Sequence, residues 1–175
     1  MTEAIANRKV NLAFPVFNFE IEFLETRLGE TKAGPKQPLC GGSFAECTGL
    51  EATMEPKVIK AGGHNYGVIQ RAGPVTFATV VLKRGMTSRR DLWKWFEMAT
   101  QNGAYSYRLT ATIHMKDTRV QQDGKRATVL SWQLANALPV KFKAADLNAK
   151  GTDVGVEELH IAHEGLSLVA GDTKA

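Results

Sequence analysis

The chain has 175 residues, of which 43% are hydrophobic and 23% are charged. This length is enough for one domain with a buried core and too short for two domains of ordinary size. The net charge of +4 is modest and the cations are scattered, which argues against a dedicated nucleic-acid-binding protein. The first residues contain no apolar run, so the sequence predicts no secretory signal and no membrane anchor, and we expect synthesis in the cytoplasm.

Alternation of apolar and polar residues is the main pattern in the chain, and it predicts a mainly β fold. The first predicted strand carries its large apolar side chains on one face, namely Phe17, Phe19, Ile21 and Phe23. An insertion-like loop is predicted at 25–42, where prolines and glycines replace the alternating pattern. Further strands are predicted at 42–48 and 50–58.

A stretch with little apolar content follows at 56–74 and is predicted as an extended, flexible loop. Loops of this length are uncommon inside a compact domain and usually have a function. The run of β-branched residues at 75–82 then predicts one buried strand, in which successive side chains pack on both faces of a sheet.

One helix is predicted near the middle of the chain. Ser88 is placed as its N-cap, with Asp91 as the capping-box partner at the third helical position. The residues Asn102 and Gly103 end the helix. Apolar residues recur at helical spacing and predict a core-facing side formed by Leu92, Trp95, Phe96 and Ala99.

The second half of the chain returns to strands. Asp123 and Gly124 predict a turn, Pro139 marks a bend or an edge, and a last segment at 156–169 has a kink at Gly165. The chain thus predicts about six to eight strands and one helix, arranged as a β-barrel or as two packed antiparallel sheets. One strand in this half alternates core residues with a polar face made of Arg108, Thr110, Thr112, His114 and Lys116.

The sequence predicts no catalytic residue, no cofactor site and no metal site, and therefore no enzyme. His160 and His163 are three residues apart, which places them on opposite faces of a strand, whereas zinc needs three or four convergent ligands. The pair Gly62 and Gly63 lacks the Lys-Ser/Thr ending and the helix of a phosphate-binding loop. Both cysteines, Cys40 and Cys47, are predicted to be free thiols.

The three tryptophans differ in their predicted environments. Trp95 lies on the apolar side of the helix and Trp132 on the apolar face of a strand, so both are predicted in the core. Trp93 falls outside the apolar stripe. Because aromatic side chains are enriched at the centres of interfaces, Trp93 is a candidate subunit contact.

Several short motifs occur in a fixed order along the chain. The first three are Phe44-Ala45-Glu46-Cys47-Thr48-Gly49-Leu50-Glu51, then Leu82-Lys83-Arg84-Gly85, then Leu92-Trp93-Lys94-Trp95-Phe96. Weaker motifs follow at 132–141 and 157–166. In this order and spacing, over about 14–168, the chain resembles the tail-tube protein family of contractile bacteriophages and related contractile injection particles.

The resemblance implies a single tail-tube-like domain over 1–175 that assembles into hexameric rings, and rings that stack into a hollow tube. It implies as partners further copies of the chain, the surrounding contractile sheath protein, and baseplate, hub and tube-terminating proteins. Cargo or nucleic acid would pass transiently through the lumen. The subunit would be made in a bacterial cytoplasm and end in a phage tail or an injection particle.

Two surfaces are expected to serve this assembly. The stretch 56–74 is the candidate inter-ring loop, centred on Lys60, Gly62, Gly63, His64, Asn65 and Tyr66. The polar strand face from Arg108 to Lys116 is the candidate lumen lining, and the alternative is that this face points to bulk solvent. Two other readings stay open. The insertion-like loop at 25–42 leaves a tube-initiating relative near the baseplate possible, and a monomeric β-barrel could bind a small ligand against the Trp132 face.

Overall fold

The computed structural model describes residues 15–27, 36–37, 44–60, 62–63, 66–101, 107–121 and 124–170. Within these residues the fold is mainly β with one mid-chain helix, which confirms the predicted fold class. The same ranges contain twelve strands rather than six to eight, because two predicted strands are each divided and further short strands occur.

The strands before the helix are β1 (Phe19–Arg27), β2 (Lys36–Gln37), β3 (Glu46–Thr48), β4 (Ala52–Met54), β5 (Lys57–Ile59), β6 (Ile69–Arg71), β7 (Val75–Phe77) and β8 (Val80–Gly85). The helix α1 (Asp91–Gln101) is followed by β9 (Tyr107–Val120), β10 (Arg126–Lys143), β11 (Val156–Ala162) and β12 (Gly165–Ala170). All strand pairs among these elements are antiparallel.

The main sheet has the order β2-β1-β9-β10-β11-β8-β3, and β12 also pairs with β10. The central strand β10 has 18 residues and serves both halves of the sheet. Its first part pairs with β9 and β12, and its second part pairs with β11. The register with β9 shifts between Leu134 and Ala137, where Asn136 has a φ of 51°. Such a bulge bends a strand and increases its twist, which lets the two halves fold over one core.

One apolar cluster joins both halves of the sheet and the helix. Phe23 of β1 meets the ring of Trp95 edge-on, with 5.4 Å between ring centroids. Of the four residues predicted on the core side of the helix, Leu92, Trp95 and Ala99 are buried, whereas Phe96 is only half-buried and contacts Trp93. The strands contribute the other buried members of the cluster, namely Val80, Leu82, Leu109, Ala111, Ile113, Leu134, Ala137, Leu159 and Ile161.

The first strand lies further along the chain than predicted. It starts at Phe19, and Phe17 is 74% exposed, so the prediction of Phe17 on the core face is wrong. The strand continues to Arg27, because each of its residues pairs with one of β9. The predicted loop at 25–42 is therefore wrong for 25–27. Within that loop, β2 pairs with β1 and the other residues lie outside the described ranges.

Two predicted strands are each broken where the chain leaves the main sheet. The stretch 50–58 divides into β4 and β5, and 75–82 divides into β7, which is largely exposed, and the buried β8. β4 pairs with β7, and β5 pairs with β6. Residues 52–77 therefore form a projecting two-stranded arm rather than the predicted flexible loop and buried strand.

Two glycines hold the two sides of the arm close together, Gly49 at its root and Gly73 between the β4–β7 and β5–β6 pairs. Gly49 has a φ of 85°, and a Cβ at this position would lie 2.2 Å from the carbonyl oxygen of Thr79. A Cβ at Gly73 would lie 1.9 Å from the carbonyl oxygen of Glu55. At both positions only glycine allows the two segments of the backbone to approach this closely.

The helix begins differently from the prediction. The N–H of Lys94 donates to the carbonyl oxygen of Arg90 at 2.9 Å, so Arg90 is the N-cap residue and Asp91 is the first helical residue. The predicted cap at Ser88 is wrong because the carboxylate of Asp91 binds Arg84 of β8. A tertiary partner thus replaces the local capping box.

Two other predicted features keep their positions. Gly124 has a φ of 77° in the turn between β9 and β10, where the N–H of Gln121 donates to the carbonyl oxygen of Lys125 at 2.7 Å. Pro139 is buried inside β10, beyond the last residue of β10 that pairs with β9. A missing N–H at an edge costs no ladder hydrogen bond, which explains why proline is tolerated there.

Arg84 is 1% exposed and ties the helix to the sheet. Its Nε donates to Oε1 of Glu157 at 2.5 Å, and its Nη1 donates to Oδ2 of Asp91 at 3.1 Å. Its Nη2 donates to the other carboxylate oxygen of Asp91. Burial opposes the charge of the guanidinium, but the hydrogen bonds and charges of the two carboxylates outweigh this and raise the pKa of Arg84. Burial likewise opposes the charge of Asp91, and Arg84 outweighs it and lowers the pKa of Asp91.

Replacing Arg84 by Met should reduce the free energy of unfolding by about 3 to 5 kcal/mol, because Glu157 would remain buried without its partner. Urea unfolding followed by circular dichroism measures the change. Lys83→Met is the matched control, since Lys83 forms a surface ion pair with Glu46 at 3.1 Å. We expect the control to cost less than about 1 kcal/mol. Equal losses in the two variants would contradict a special role for the buried network.

The lowered pKa of Asp91 predicts a loss of stability in acid. The stabilisation from this carboxylate is complete above its ordinary pKa of about 4 and is lost as the pH falls through its lower folded-state value. In Asp91→Asn this contribution is missing at every pH. The free energy of unfolding of the wild-type chain should therefore fall more steeply below about pH 4 than that of Asp91→Asn. Parallel curves for the two chains would contradict the prediction.

Candidate functional site

One face of the sheet formed by β1, β9, β10 and β12 is polar. The register places Glu22 of β1 opposite Thr112 of β9, and Ser131 of β10 opposite His114. The polar surface predicted on one strand therefore continues over its neighbours. All five side chains predicted to line a lumen are half-buried on this face of β9, namely Arg108, Thr110, Thr112, His114 and Lys116.

The side chains on this polar face are hydrogen-bonded to one another across the strands. Nζ of Lys116 lies 3.3 Å from Oε2 of Glu20 and donates to Oγ1 of Thr128 at 3.2 Å. Nδ1 of His114 and Oγ of Ser131 are 2.8 Å apart. Because these groups already have partners, the face is a fixed surface of mixed charge and is poorly suited to holding one particular ligand.

The borders of this sheet are largely unpaired within the described residues. β12 pairs only with β10 there, and β2 covers only Phe23 and Leu24 on the outer side of β1. An unpaired border presents a row of N–H and C=O groups that can pair with a further strand. Leu168, at the border of β12, is an exposed large apolar side chain. The arrangement suits side-by-side association of several copies of the chain.

The arm carries the predicted inter-ring residues at its distal end. Gly62 and Gly63 lie in a turn, and Lys60 and Tyr66 are exposed. His64 and Asn65, which were predicted with them, lie outside the described residues. A two-stranded hairpin is at best marginally stable by itself in water, so an exposed arm of this kind would gain stability from a partner surface.

Trp93 lies on the outer side of α1 and is 43% exposed. Its ring contacts Phe96 at 5.8 Å and Phe142 of β10 at 5.5 Å between centroids. These contacts hold the indole in place while part of it stays open to a neighbour. Trp132, in contrast, packs against the apolar core. A site for a small ligand against the Trp132 face would need open space at this position.

Within the described residues, no group of three or more His, Cys, Asp or Glu side chains could hold a metal ion. His160 lies beside Glu158 at 3.5 Å, and His163 contacts the ring of Phe77 and the carbonyl oxygen of Gly165. No helix in the same ranges is both long and apolar enough to cross a membrane.

The two cysteines were predicted to be free thiols. Cys47 is a free cysteine, and burial raises the pKa of its thiol to about 11, so little reactive thiolate exists at neutral pH. Cys40 lies outside the described residues.

Two features were missed in the sequence. Arg84 lies on the same face of β8 as Val80 and Leu82, so its inward direction could have been predicted from the alternation. A buried Arg was not expected, because charged side chains are rarely fully buried. A groove beside the loop between β10 and β11 was also missed, because its walls come from separate parts of the chain.

Comparison with known structures supports the fold. A chain of the anti-feeding prophage (AFP) baseplate, solved by cryo-EM and 6-fold symmetrised, is 18% identical with a TM-score of 0.64 and covers 91% of this chain and 98% of that chain. A chain of the extended sheath-tube complex of PVC, an extracellular contractile injection system, is 18% identical with a TM-score of 0.65 and covers 92% and 94%. A chain of the PVC sheath/tube terminator is 17% identical with a TM-score of 0.69 and covers 92% and 99%. At these identities the likeness establishes a shared fold.

The family comparison is more specific. The chain has no match among the curated proteins. A family model described as T4-like virus tail tube protein gp19 matches residues 15–167, which is most of the chain. That family consists of structural tube proteins rather than enzymes. The chain therefore belongs to the T4-like virus tail tube protein gp19 family.

Proposed function

We propose that the chain is the repeating subunit of the inner tube of a contractile phage tail or a phage-tail-like contractile injection system. Six copies form a ring, and rings stack around an open lumen. The observation that carries this proposal is the sheet of β1, β9, β10 and β12, with its polar face and its largely unpaired borders. A ring satisfies both borders at once, because each copy supplies the strand that its neighbour lacks.

The polar face of this sheet lines the lumen in our proposal. Charges of both signs are already paired there, as in the contact between Lys116 and Glu20. Cargo or nucleic acid can then pass transiently without finding a row of free groups of one sign. The ring size of six in our proposal is taken from the likeness to a chain of a 6-fold symmetrised baseplate.

The partners of the tube follow from the same comparison. Chains of similar fold occur in a sheath-tube complex, a baseplate and a tube terminator of other particles. We propose that this chain likewise meets a sheath protein, a baseplate or hub protein and a terminating protein. We assign the half of the sheet formed by β11, β8 and β3 to the outside of the tube. Lys83 and Glu46 form an exposed ion pair there.

Purified chain at high concentration should form rings with six subunits and stacks of rings, which negative-stain electron microscopy will detect. Leu168→Glu should raise the concentration needed for half assembly about tenfold or more, since it puts a charge at the border of β12. Val140→Glu is the matched control. Val140 is also an exposed apolar residue, but it lies in the second part of β10, away from the residues that pair with β12. A chain that stays monomeric at every concentration would exclude the tube.

Trp93 is proposed as a contact between subunits. Trp93→Ala should weaken assembly several-fold while the free energy of unfolding changes by less than about 2 kcal/mol, because the indole is only partly buried. Analytical ultracentrifugation and urea unfolding measure the two effects. Unchanged assembly in this variant would remove Trp93 from the interface.

A further inference from the structure

The arm of residues 52–77 has an unbalanced set of charges. Lys57 of β5 stands directly opposite Arg71 of β6, and Lys60 follows at the end of β5. Like charges opposite each other on paired strands are destabilising. None of these three cations has an ion pair among the described residues. Glu55 is the one carboxylate of the arm and forms no ion pair with these cations among the described residues, so the arm carries more positive than negative charge.

The arm also exposes apolar side chains, of which Ile69 shares a face of the β5–β6 pair with Lys57 and Arg71, while Val58 lies on the other face. Val58, Val68 and Ile69 are all exposed large hydrophobic residues. Exposed apolar groups that are rimmed by charge are typical of surfaces that bind another protein. The partner must therefore offer both an apolar surface and acidic groups.

A groove of about 600 Å³ beside the loop between β10 and β11 has these properties. Two apolar side chains that line the groove are mostly exposed to solvent, Leu147 at 88% and Val154 at 77%. Three acidic residues and one basic residue line it, namely Asp146, Asp153, Glu158 and Lys143, so acidic groups predominate. Asp146 lies 3.4 Å from Lys143, and Asp153 has no ion pair among the described residues.

The loop that forms the groove is closely packed at its base. A Cβ at Gly155 would lie 2.8 Å from Cβ of Ala145, so the two ends of the loop touch. The base of the groove is therefore held in place before a partner arrives. A preformed site costs less free energy to occupy than one that must be ordered on binding.

The arm and the groove lie at opposite ends of one pair of strands. The arm ends just before Val80, the first residue of β8, and Met86 in the groove follows directly after the last residue of β8. Val156, which also lines the groove, pairs with Gly85. Six residues of strand separate the two features by about 20 Å. A contact between the arm of one copy and the groove of another is therefore head-to-tail, and repetition gives an open-ended stack.

We propose that the arm of one copy docks into the acidic groove of a copy in the adjoining ring. This inference rests on the tube proposed above and names the surface that receives the arm. Lys57 and Arg71 meet Asp146 and Asp153, while the apolar side chains of the arm cover Leu147 and Val154. The contact neutralises the cations and removes both apolar surfaces from water in one step.

A charge exchange tests the docking. Lys57→Glu with Arg71→Glu in the arm should reduce the fraction of chain in stacked tubes about tenfold or more, and so should Asp146→Lys with Asp153→Lys in the groove. The four substitutions together should restore stacking, because the charges again match. Sedimentation and electron microscopy measure the fraction, and single rings should persist in each double variant. Arg89→Glu with Lys141→Glu makes the same change in net charge as the arm variant, at exposed residues outside the arm and the groove, and should leave stacking unchanged.

The outcomes separate this proposal from the proposed function. If the wild-type chain stacks and both double variants stack equally well, the docking is wrong and the tube stands. If the double variants also lose single rings, the contact is lateral and the docking between rings is wrong. If the wild-type chain forms no rings at all, the tube fails and the docking with it.

A cross-linking measurement tests the docking without the charge variants, so its result does not depend on whether those variants fold. Tyr66→Cys and Leu147→Cys place thiols on exposed residues of the arm and the groove, in a chain with both native cysteines replaced. A short bis-maleimide should then join wild-type-like stacks into a ladder of covalent oligomers. Tyr66→Cys with Val140→Cys is the control, and equal ladders from both pairs would overturn the assignment.

Discussion

The fold depends on the continuity of β10, which belongs to both halves of the main sheet. Its first part completes the polar sheet with β9 and β12, and its second part carries β11 and, through it, β8. The bulge around Asn136 turns one half over the other, so that both halves and the helix share one apolar cluster. The polar sheet and the strands that carry the arm and the groove therefore have fixed relative positions.

Arg84 adds a second constraint at the start of the helix. The guanidinium joins β8, β11 and α1 through two carboxylates, and it does so almost without contact with water. A buried ion pair of this kind gives little net stability compared with apolar packing, but it accepts only one relative placement of its three elements. The helix is thereby held over the core, with Trp93 on its outer side.

The alternation of apolar residues was enough to predict β9 and the core position of Trp132 on β10, and helical spacing predicted the core side of the helix. The strands predicted at 50–58 and 75–82 include β4 and β7, but their pairing into an arm with β5 and β6 was not predicted, because the β-branched run at 75–82 continues through the point where the chain leaves the sheet. The N-cap was misplaced because Asp91 binds Arg84 rather than a local partner. The groove could not be predicted from the sequence, because Met86 and the loop after β10 come together only through the pairing of β8 with β11.

The hydrogen bonds within the polar face have a mechanical consequence. In the tube that we propose, groups such as His114 and Ser131 lie along the wall and are bonded to each other, so they do not have to change partners as a polymer moves past. Each step along the axis then meets almost the same energy, because no bond must break before the next one forms. A wall of this kind, in the proposed tube, holds a passing polymer at no preferred position.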